Sequence, residues 1–277
     1  MTVDYRSQTV LLTGASSGIG AALATALAAR GSNLVLVARR AERLAPMADE
    51  LRRTHKVRVE AIAFDLAHPD VGNELRKAVA DRGVEVTSLI NNAGFGTFAR
   101  FVDADPGRLA AEIAVDVMAP VQLTAAFMPH MLSAANGFII NVASVSAYFP
   151  SPRMAVYSAA KAFVLSFSES LWTELRGTGL TAFAVCPGAT DTEFTTGMGT
   201  GAGVLTSGRM RTPEDVVVTA LAHLERRNPG PTVIDGRTNQ LGVIASRLMS
   251  RRRNAMTMDR VFDPDRRAQR RKSKVTR

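Results

Sequence analysis

Tyr157 and Lys161 stand four residues apart in MAVYSAAKAFVLSFSESLWTEL, a run with helical apolar spacing. Four residues is just over one helical turn, so the phenol and the ammonium emerge on one face. Ser144 lies upstream, at the end of the strand-like run GFIINVAS. A phenol with its ordinary pKa of about 10 is a poor proton carrier at neutral pH. A neighbouring lysine cation favours the phenolate and brings it toward the working range. A serine hydroxyl beside both would hold a carbonyl oxygen. Together these groups can move a proton on and off an oxygen. Tyr-x-x-x-Lys also arises by chance on many helices, and a serine at a strand end is commonly a cap or turn former. The rest of the chain decides between these readings.

A second set of residues sits near the N-terminus. TGASSGIG places Gly14, Gly18 and Gly20 between the apolar TVLLTG (9–14) and the alanine-rich IGAALATALAARG. Glycines at a strand-to-helix turn let the backbone approach a pyrophosphate, which then faces the amides and positive end of the helix. The spacing is G-x-x-x-G-x-G, not the commoner G-x-G-x-x-G. At the end of the second apolar run, NAD-specific domains usually offer an acid to the adenosine ribose. Here Ala38 is followed by Arg39 and Arg40. Arginine there suits a 2′-phosphate, so NADP(H) is the expected cofactor. The alternative is that the two arginines simply open a solvated helix.

Seven apolar runs must position these residues: TVLLTG, NLVLVAR, VRVEAIAFDL, SLINNAG, GFIINVAS, TAFAVCPG and PTVIDG, separated by longer helical stretches. Strands that are apolar throughout, alternating with helices, predict an α/β fold with a parallel sheet covered on both faces. The 277 residues, 46% of them hydrophobic, suffice for one large domain. The expected division is a body over 1–240, with a substrate loop at 190–212, and a C-terminal helix and basic tail over 241–277. No apolar run reaches about 18 residues, so no transmembrane helix is expected. MTVDYRSQ has neither a basic nor an apolar stretch and does not read as a secretory signal. The single cysteine, Cys186, excludes an intramolecular disulfide and follows the apolar TAFAV, so a buried structural thiol and a cytoplasmic setting are expected. No metal set is expected.

With TGASSGIG at 13–20, NNAG at 91–94, Ser144, Tyr157-x-x-x-Lys161 and PGATDT at 187–192 in this order, the chain resembles the short-chain dehydrogenase/reductase family over about residues 8–236. The resemblance implies a Rossmann-type, doubly wound sheet of seven strands. It also implies hydride transfer between a nicotinamide and a carbonyl or alcohol. By the same resemblance Tyr157 is the general acid of reduction, and Lys161 binds the nicotinamide ribose and lowers the phenol's pKa. Ser144 orients the carbonyl oxygen. The cofactor positions implied are Gly14, Ser16, Ser17, Gly18, Ile19 and Gly20 in the first turn, with Arg39 and Arg40 after the second strand. Asp65 and Leu66 fall at the adenine, and Asn92, Ala93 and Gly94 in the NNAG turn. Pro187, Gly188, Thr190 and Thr192 fall at the carboxamide, and Tyr157 and Lys161 also contact cofactor.

One position departs from the family pattern. Where relatives commonly carry an asparagine that completes a catalytic tetrad, IAVDVMAP has Asp116. An aspartate can keep the main-chain carbonyl contact, its charge can support Lys161, and it can also bend the helix. An active oxidoreductase with a modified relay is the expectation; the alternative is a non-catalytic NADPH-binding regulatory or scaffold protein.

The loops after strands four, five and six offer Phe95 and Phe98, then Ala147, Tyr148, Phe149 and Met154, then Phe194, Met198, Leu205 and Met210. These soft apolar walls suit a hydrophobic ketone or secondary alcohol, and the Gly- and Thr-rich 193–212 reads as a mobile lid. Beyond PTVIDG, Leu241, Ile244, Leu248 and Met249 recur at helical spacing ahead of Arg251–Arg253. That helix is expected over the substrate pocket or at an oligomer interface, with contact to an anionic membrane surface as the alternative. Twelve of the 34 basic and three of the 25 acidic residues lie in 247–277, a surplus that equals the whole net charge of +9 and leaves 1–246 neutral. A basic tail without a recognition motif gives no specific nucleic-acid partner. The expected tail, DPDRRAQRRKSKVTR, is solvated. Assembly as a homo-oligomer, dimer or tetramer, is expected from the resemblance, through helices around 107–133 and 154–176.

Overall fold

A computed structural model describes residues 3–134, 136–194, 198 and 210–263. Seven parallel strands form one sheet in the order β3-β2-β1-β4-β5-β6-β7. They are β1 (Thr9–Thr13), β2 (Asn33–Ala38), β3 (Val59–Ala63), β4 (Ser88–Asn91), β5 (Phe138–Val142), β6 (Thr181–Cys186) and β7 (Thr232–Ile234). Each falls within one of the seven apolar runs. The central strands β4 and β5 are buried at every position, as expected where helices cover both faces. The sequence order reverses between β1 and β4, and at such a switch point the strand ends splay into a crevice.

The two faces carry separate apolar cores. One joins Val10, Leu12, Leu23 and Leu27 to Val216 and Leu221, under α1 (Gly18–Ala29) and α7 (Pro213–Leu224). The other joins Leu11, Val35, Leu75, Leu89 and Leu123, under α3 (Val71–Ala80) and α5 (Ala119–Ala134). The long helix α6 (Ala155–Glu174) lies on the β5–β6 side. A buried polar chain pins it: Asn91 Nδ2 donates to Asn141 Oδ1 at 2.8 Å, and Asn141 Nδ2 donates to Ser168 Oγ on α6 at 2.8 Å. This chain fixes the azimuth of the helix that carries Tyr157 and Lys161.

Between α4 (Pro106–Ile113) and α5 the helix widens into a π turn, Ala114–Met118, which contains Asp116. Such single turns store an extra residue and re-aim side chains. Within the run Pro106–Ala134 an 18-residue window has a mean hydropathy of 1.4, enough by length and composition alone to cross a bilayer. The run carries the fully buried carboxyls of Glu112 and Asp116 and packs on α3 and α6.

The C-terminal segment differs most from expectation. Among the described residues two helices follow β7, α8 (Arg237–Leu248) and α9 (Arg251–Phe262), and α8 runs across residue 240, the edge drawn for the body. Leu241, Ile244 and Leu248 are 67%, 56% and 84% exposed, so the periodic apolar row does not cover the substrate pocket within this chain. Val243 and Ser246 are the buried residues of α8 instead. Arg251–Arg253 open α9 behind the cap Ser250, rather than ending α8. It is α9, through Met258 and Phe262, that reaches the site. Leu205, the segment 199–209 and the tail 264–277 lie outside the described residues.

Candidate active site

The first turn packs so closely against itself and the NNAG turn that it accepts only glycine at two positions. Gly14 has φ +66°, and a Cβ there would sit 2.8 Å from the Ala93 Cα. At Gly20 a Cβ would collide with the Gly14 carbonyl. Asn92 locks this corner by donating from Nδ2 to Thr13 O at 2.9 Å and Gly14 O at 3.3 Å. Thr13 completes the lock, because its hydroxyl accepts the amides of Asn92 and Ala93, each at 3.0 Å. The role of Thr13 was not read from the sequence, where it passes for a strand residue.

A cavity of about 700 Å³ runs from this turn across the C-terminal ends of the strands. Every cofactor position anticipated above lines it: the first-turn residues, Arg39 and Arg40, Asp65 and Leu66, the NNAG turn, Pro187, Gly188, Thr190 and Thr192. Arg39 is exposed, whereas Arg40 donates from Nη2 to Ser16 Oγ and Ser17 Oγ, each at 3.1 Å. Arg40 and Arg43 also pair with Glu193, at 2.9 and 2.6 Å. Glu193 thereby ties the loop after β6 to the arginines after β2, and their cations hold its carboxyl below the usual range. Glu193, which lines the cavity, is an addition to the anticipated set, and Arg43 supports it.

At the far end Ser144, Tyr157 and Lys161 line the same cavity and are all buried. The Lys161 Nζ lies 5.4 Å from the centroid of the Tyr157 ring and donates to Val142 O at 3.3 Å. It pairs with Asp116 Oδ2 at 3.0 Å, while Asp116 Oδ1 accepts the Phe95 amide at 3.0 Å. Asp116 is thus fully buried and bound through its side chain. Gly94 makes the pair fit: a Cβ at that position would come within 3.0 Å of Nζ and 3.1 Å of both carboxylate oxygens. This is a second reason, besides cofactor contact, for glycine in NNAG.

Burial pushes the Tyr157 phenol above its ordinary range; Lys161 and Ser144 oppose it, and Asp116 and Glu112 reinforce it. The expected lowering by Lys161 is present but outweighed, because the ring is almost wholly removed from water and a phenolate there is poorly solvated. For Lys161 burial disfavours the cation, but Asp116, with Tyr157 and Glu112, more than offsets it, so the amine's pKa is raised. Lys161 is held as an ammonium.

The anticipated apolar walls divide. Phe95, Phe149, Met154 and Phe194 line the cavity, and Phe98 and Met198 back it, packed with Met154, Tyr157 and Phe262. Ala147 and Tyr148 turn away and pack on Val164 and Cys186 instead. Tyr148 is then covered by Arg247 of α8, whose guanidinium lies 5.1 Å from its ring centroid. Met210 does not line the cavity among the described residues. Val261 and Phe262, which do, come from an arginine-rich helix whose composition conceals them. Burial raises the Cys186 thiol to about 12, consistent with a structural thiol.

A family model described as short chain dehydrogenase matches residues 8–202, more than half of the chain. The chain belongs to the short-chain dehydrogenase family. It is 37% identical over 197 residues to the uncharacterized oxidoreductase YvaG of Bacillus subtilis (strain 168), covering 70% of this chain and 72% of that one. Among solved structures it resembles a short-chain dehydrogenase from Sphingobium yanoikuyae in complex with NADPH, with TM-score 0.75, 34% identity and coverage of 87% and 93% of the two chains. It also resembles the bulky-bulky ketone specific alcohol dehydrogenase from Comamonas testosteroni, with TM-score 0.71, 33% identity and coverage of 88% and 94%. As a short-chain dehydrogenase this chain is an oxidoreductase with a nicotinamide-binding Rossmann fold.

Proposed function

We propose that this short-chain dehydrogenase is an NADP(H)-dependent carbonyl reductase for hydrophobic ketones, with the secondary alcohol as product. The observation that carries this reading is the meeting, in one cavity, of the glycine cradle, the Tyr157–Lys161–Ser144 cluster and an apolar wall. Arg39 and Arg40 favour a 2′-phosphate over a bare ribose, with Ser16 and Ser17 beside Arg40. The NADPH held by the Sphingobium relative and the ketone specificity of the Comamonas relative support the same choice.

The cradle at Gly14 and Gly20 has no room for side chains and would take the cofactor's pyrophosphate at the start of α1. Asp65 and Leu66 would flank the adenine, and Pro187, Gly188, Thr190 and Thr192 the nicotinamide end. Bound there, the nicotinamide supplies the hydride chemistry. This chain's residues do the rest. Ser144 donates a hydrogen bond to the carbonyl oxygen and polarises it. Tyr157 delivers its phenolic proton to that oxygen as negative charge develops. A phenol kept protonated by burial is poised as the acid, which favours reduction. The Lys161 cation then stabilises the phenolate left behind, and Asp116 keeps that cation charged. Phe95, Phe149, Phe194 and Phe262 exclude water and select an apolar substrate.

The rival reading, a non-catalytic NADPH-binding regulator, drew on the aspartate at 116. The direct Asp116–Lys161 pair favours the enzyme, because it maintains the charge the chemistry needs. We also infer a homo-oligomer built through the exposed apolar residues Ile113, Met118, Leu132 and Phe163; a monomer by light scattering would remove that inference.

A panel of hydrophobic ketones, presented with NADPH or NADH, tests the substrate and cofactor readings. Turnover is expected with NADPH, at a kcat/KM well above that with NADH. Equal use of the two cofactors would overturn the arginine reading, and cofactor binding without turnover would favour the regulator.

A further inference from the structure

Behind Lys161 the site contains a carboxyl that the mechanism above does not use. Glu112 lies on α4, four residues before Asp116, and has no solvent exposure. Neither of its carboxyl oxygens is within hydrogen-bond geometry of a donor among the described residues, though the Thr97 hydroxyl lies near enough to favour the ionised form. A buried carboxylate without such partners is expensive, and a neutral carboxylic acid is far less so. The groups acting on it are Asp116 in the π turn, Lys161 on α6, Arg108 one turn earlier on α4, and the Thr97 hydroxyl. Arg108 lies toward the loop after β4, donating to Thr97 Oγ1 and Gly96 O, each at 3.1 Å, with its guanidinium over the Phe95 ring.

The charges of the cluster then follow. Lys161 is one ammonium, and Asp116 holds it at 3.0 Å while accepting the Phe95 amide. That pair is balanced. Burial pushes the Asp116 carboxyl up as well, and the cation and the amide oppose that rise without cancelling it. Ionising Glu112 as well would place a second carboxylate beside the first, with its own oxygens unsolvated. The geometry makes Asp116 the ionised acid and Glu112 the protonated one. Burial raises the Glu112 pKa in the same sense and Asp116 adds to that rise, while the Thr97 hydroxyl, Arg108 and Lys161 oppose it without cancelling it.

We propose that Glu112 is the proton-holding positioning residue of this site: a neutral acid behind the Asp116–Lys161 pair whose ionisation adds to the negative charge felt by Tyr157. This rests on the roles given to Tyr157 and Lys161 above. While Glu112 keeps its proton, Lys161 acts on the phenol with only Asp116 opposing it. When Glu112 ionises, the added negative charge pushes the phenol further up and favours the protonated, reducing form of Tyr157. No proton passes from Glu112 to substrate; it acts through charge.

The test is Glu112→Gln, whose neutral amide copies the protonated acid in size. Infrared difference spectra at neutral pH should show a deuterium-sensitive carbonyl stretch of a protonated carboxylic acid in the wild type. That band should be absent from E112Q. The stability sign is fixed by linkage. The unfolded Glu112 loses its proton near pH ~4.3, while the folded one keeps it to higher pH. The wild type therefore loses stability as pH rises from that value to the folded pKa, and E112Q does not. E112Q should melt at higher temperature than the wild type above neutrality, with the gap closing toward pH ~4. In alcohol oxidation, the midpoint of its rate–pH profile should move to lower pH.

A band that persists in E112Q and disappears in Asp116→Asn would place the proton on Asp116 and overturn the proposal. So would a wild type without the band, or an E112Q destabilised equally at every pH. The infrared and melting measurements read Glu112 whether or not any ketone turns over. Absence of turnover would therefore count against the enzyme reading, not against the proton on Glu112.

Discussion

At the residue scale, the decisive feature is the Asp116–Lys161 contact, and its energetics set the first prediction. Asp116→Ala leaves a buried ammonium without its counter-ion, a change that typically costs about 3–5 kcal/mol of stability. Asp116→Asn keeps the size and the acceptor for the Phe95 amide, so its loss in urea melts should be smaller. Without the carboxylate, the Lys161 pKa falls. The ammonium is then lost at lower pH, and kcat should decline earlier on the alkaline side. An Asp116→Asn enzyme with the wild-type rate and pH profile would remove the role given to that charge. Ser144, Tyr157 and Lys161 were legible because their function imposes a spacing. Glu112 was not, because a glutamate on a helix is ordinarily solvated, and its burial follows from α4 docking on α6, which no local pattern records. Gly94 was legible as part of NNAG, but its clearance for Lys161 and Asp116 required coordinates.

At the element scale, the strands were legible because a parallel sheet covered on both faces demands continuous apolar runs, and all seven appear as such. The C-terminal helices were not. The periodic row on α8 invited a covered face, yet Leu241, Ile244 and Leu248 face solvent, while the arginine-rich α9 delivers Phe262 to the pocket. Periodicity reports which residues share a face, and only packing decides where that face points. Phe262 is buried against Phe98, Met154, Tyr157 and Met198, so Phe262→Ala opens the apolar wall. Truncating a well-packed phenylalanine typically costs about 3–5 kcal/mol in a core. At a pocket wall, part of that loss should appear as a KM for bulky ketones raised by an order of magnitude or more. The affinity for NADPH should hardly change, since Phe262 packs among Phe98, Met154, Tyr157 and Met198. An unchanged KM would show that α9 does not form the substrate wall.

For the whole molecule, the division of labour follows the charge. The first 246 residues are neutral overall and contain the sheet, the cradle and the acid–base cluster; the excess of +9 is confined to 247–277. Composition therefore describes the tail better than it describes the enzyme. The acid–base chemistry proposed for the whole chain turns on one group, the Tyr157 phenol, buried beside a lysine whose charge is supported by Asp116. The most direct test compares wild type with Tyr157→Phe for ketone-dependent oxidation of NADPH, with cofactor affinity measured by fluorescence on both. Removing one hydroxyl should leave NADPH binding within a few-fold. It should lower kcat by at least the ~10²–10⁴ that a positioned acid contributes. A Tyr157→Phe protein that turns over ketone at the wild-type rate would contradict the account.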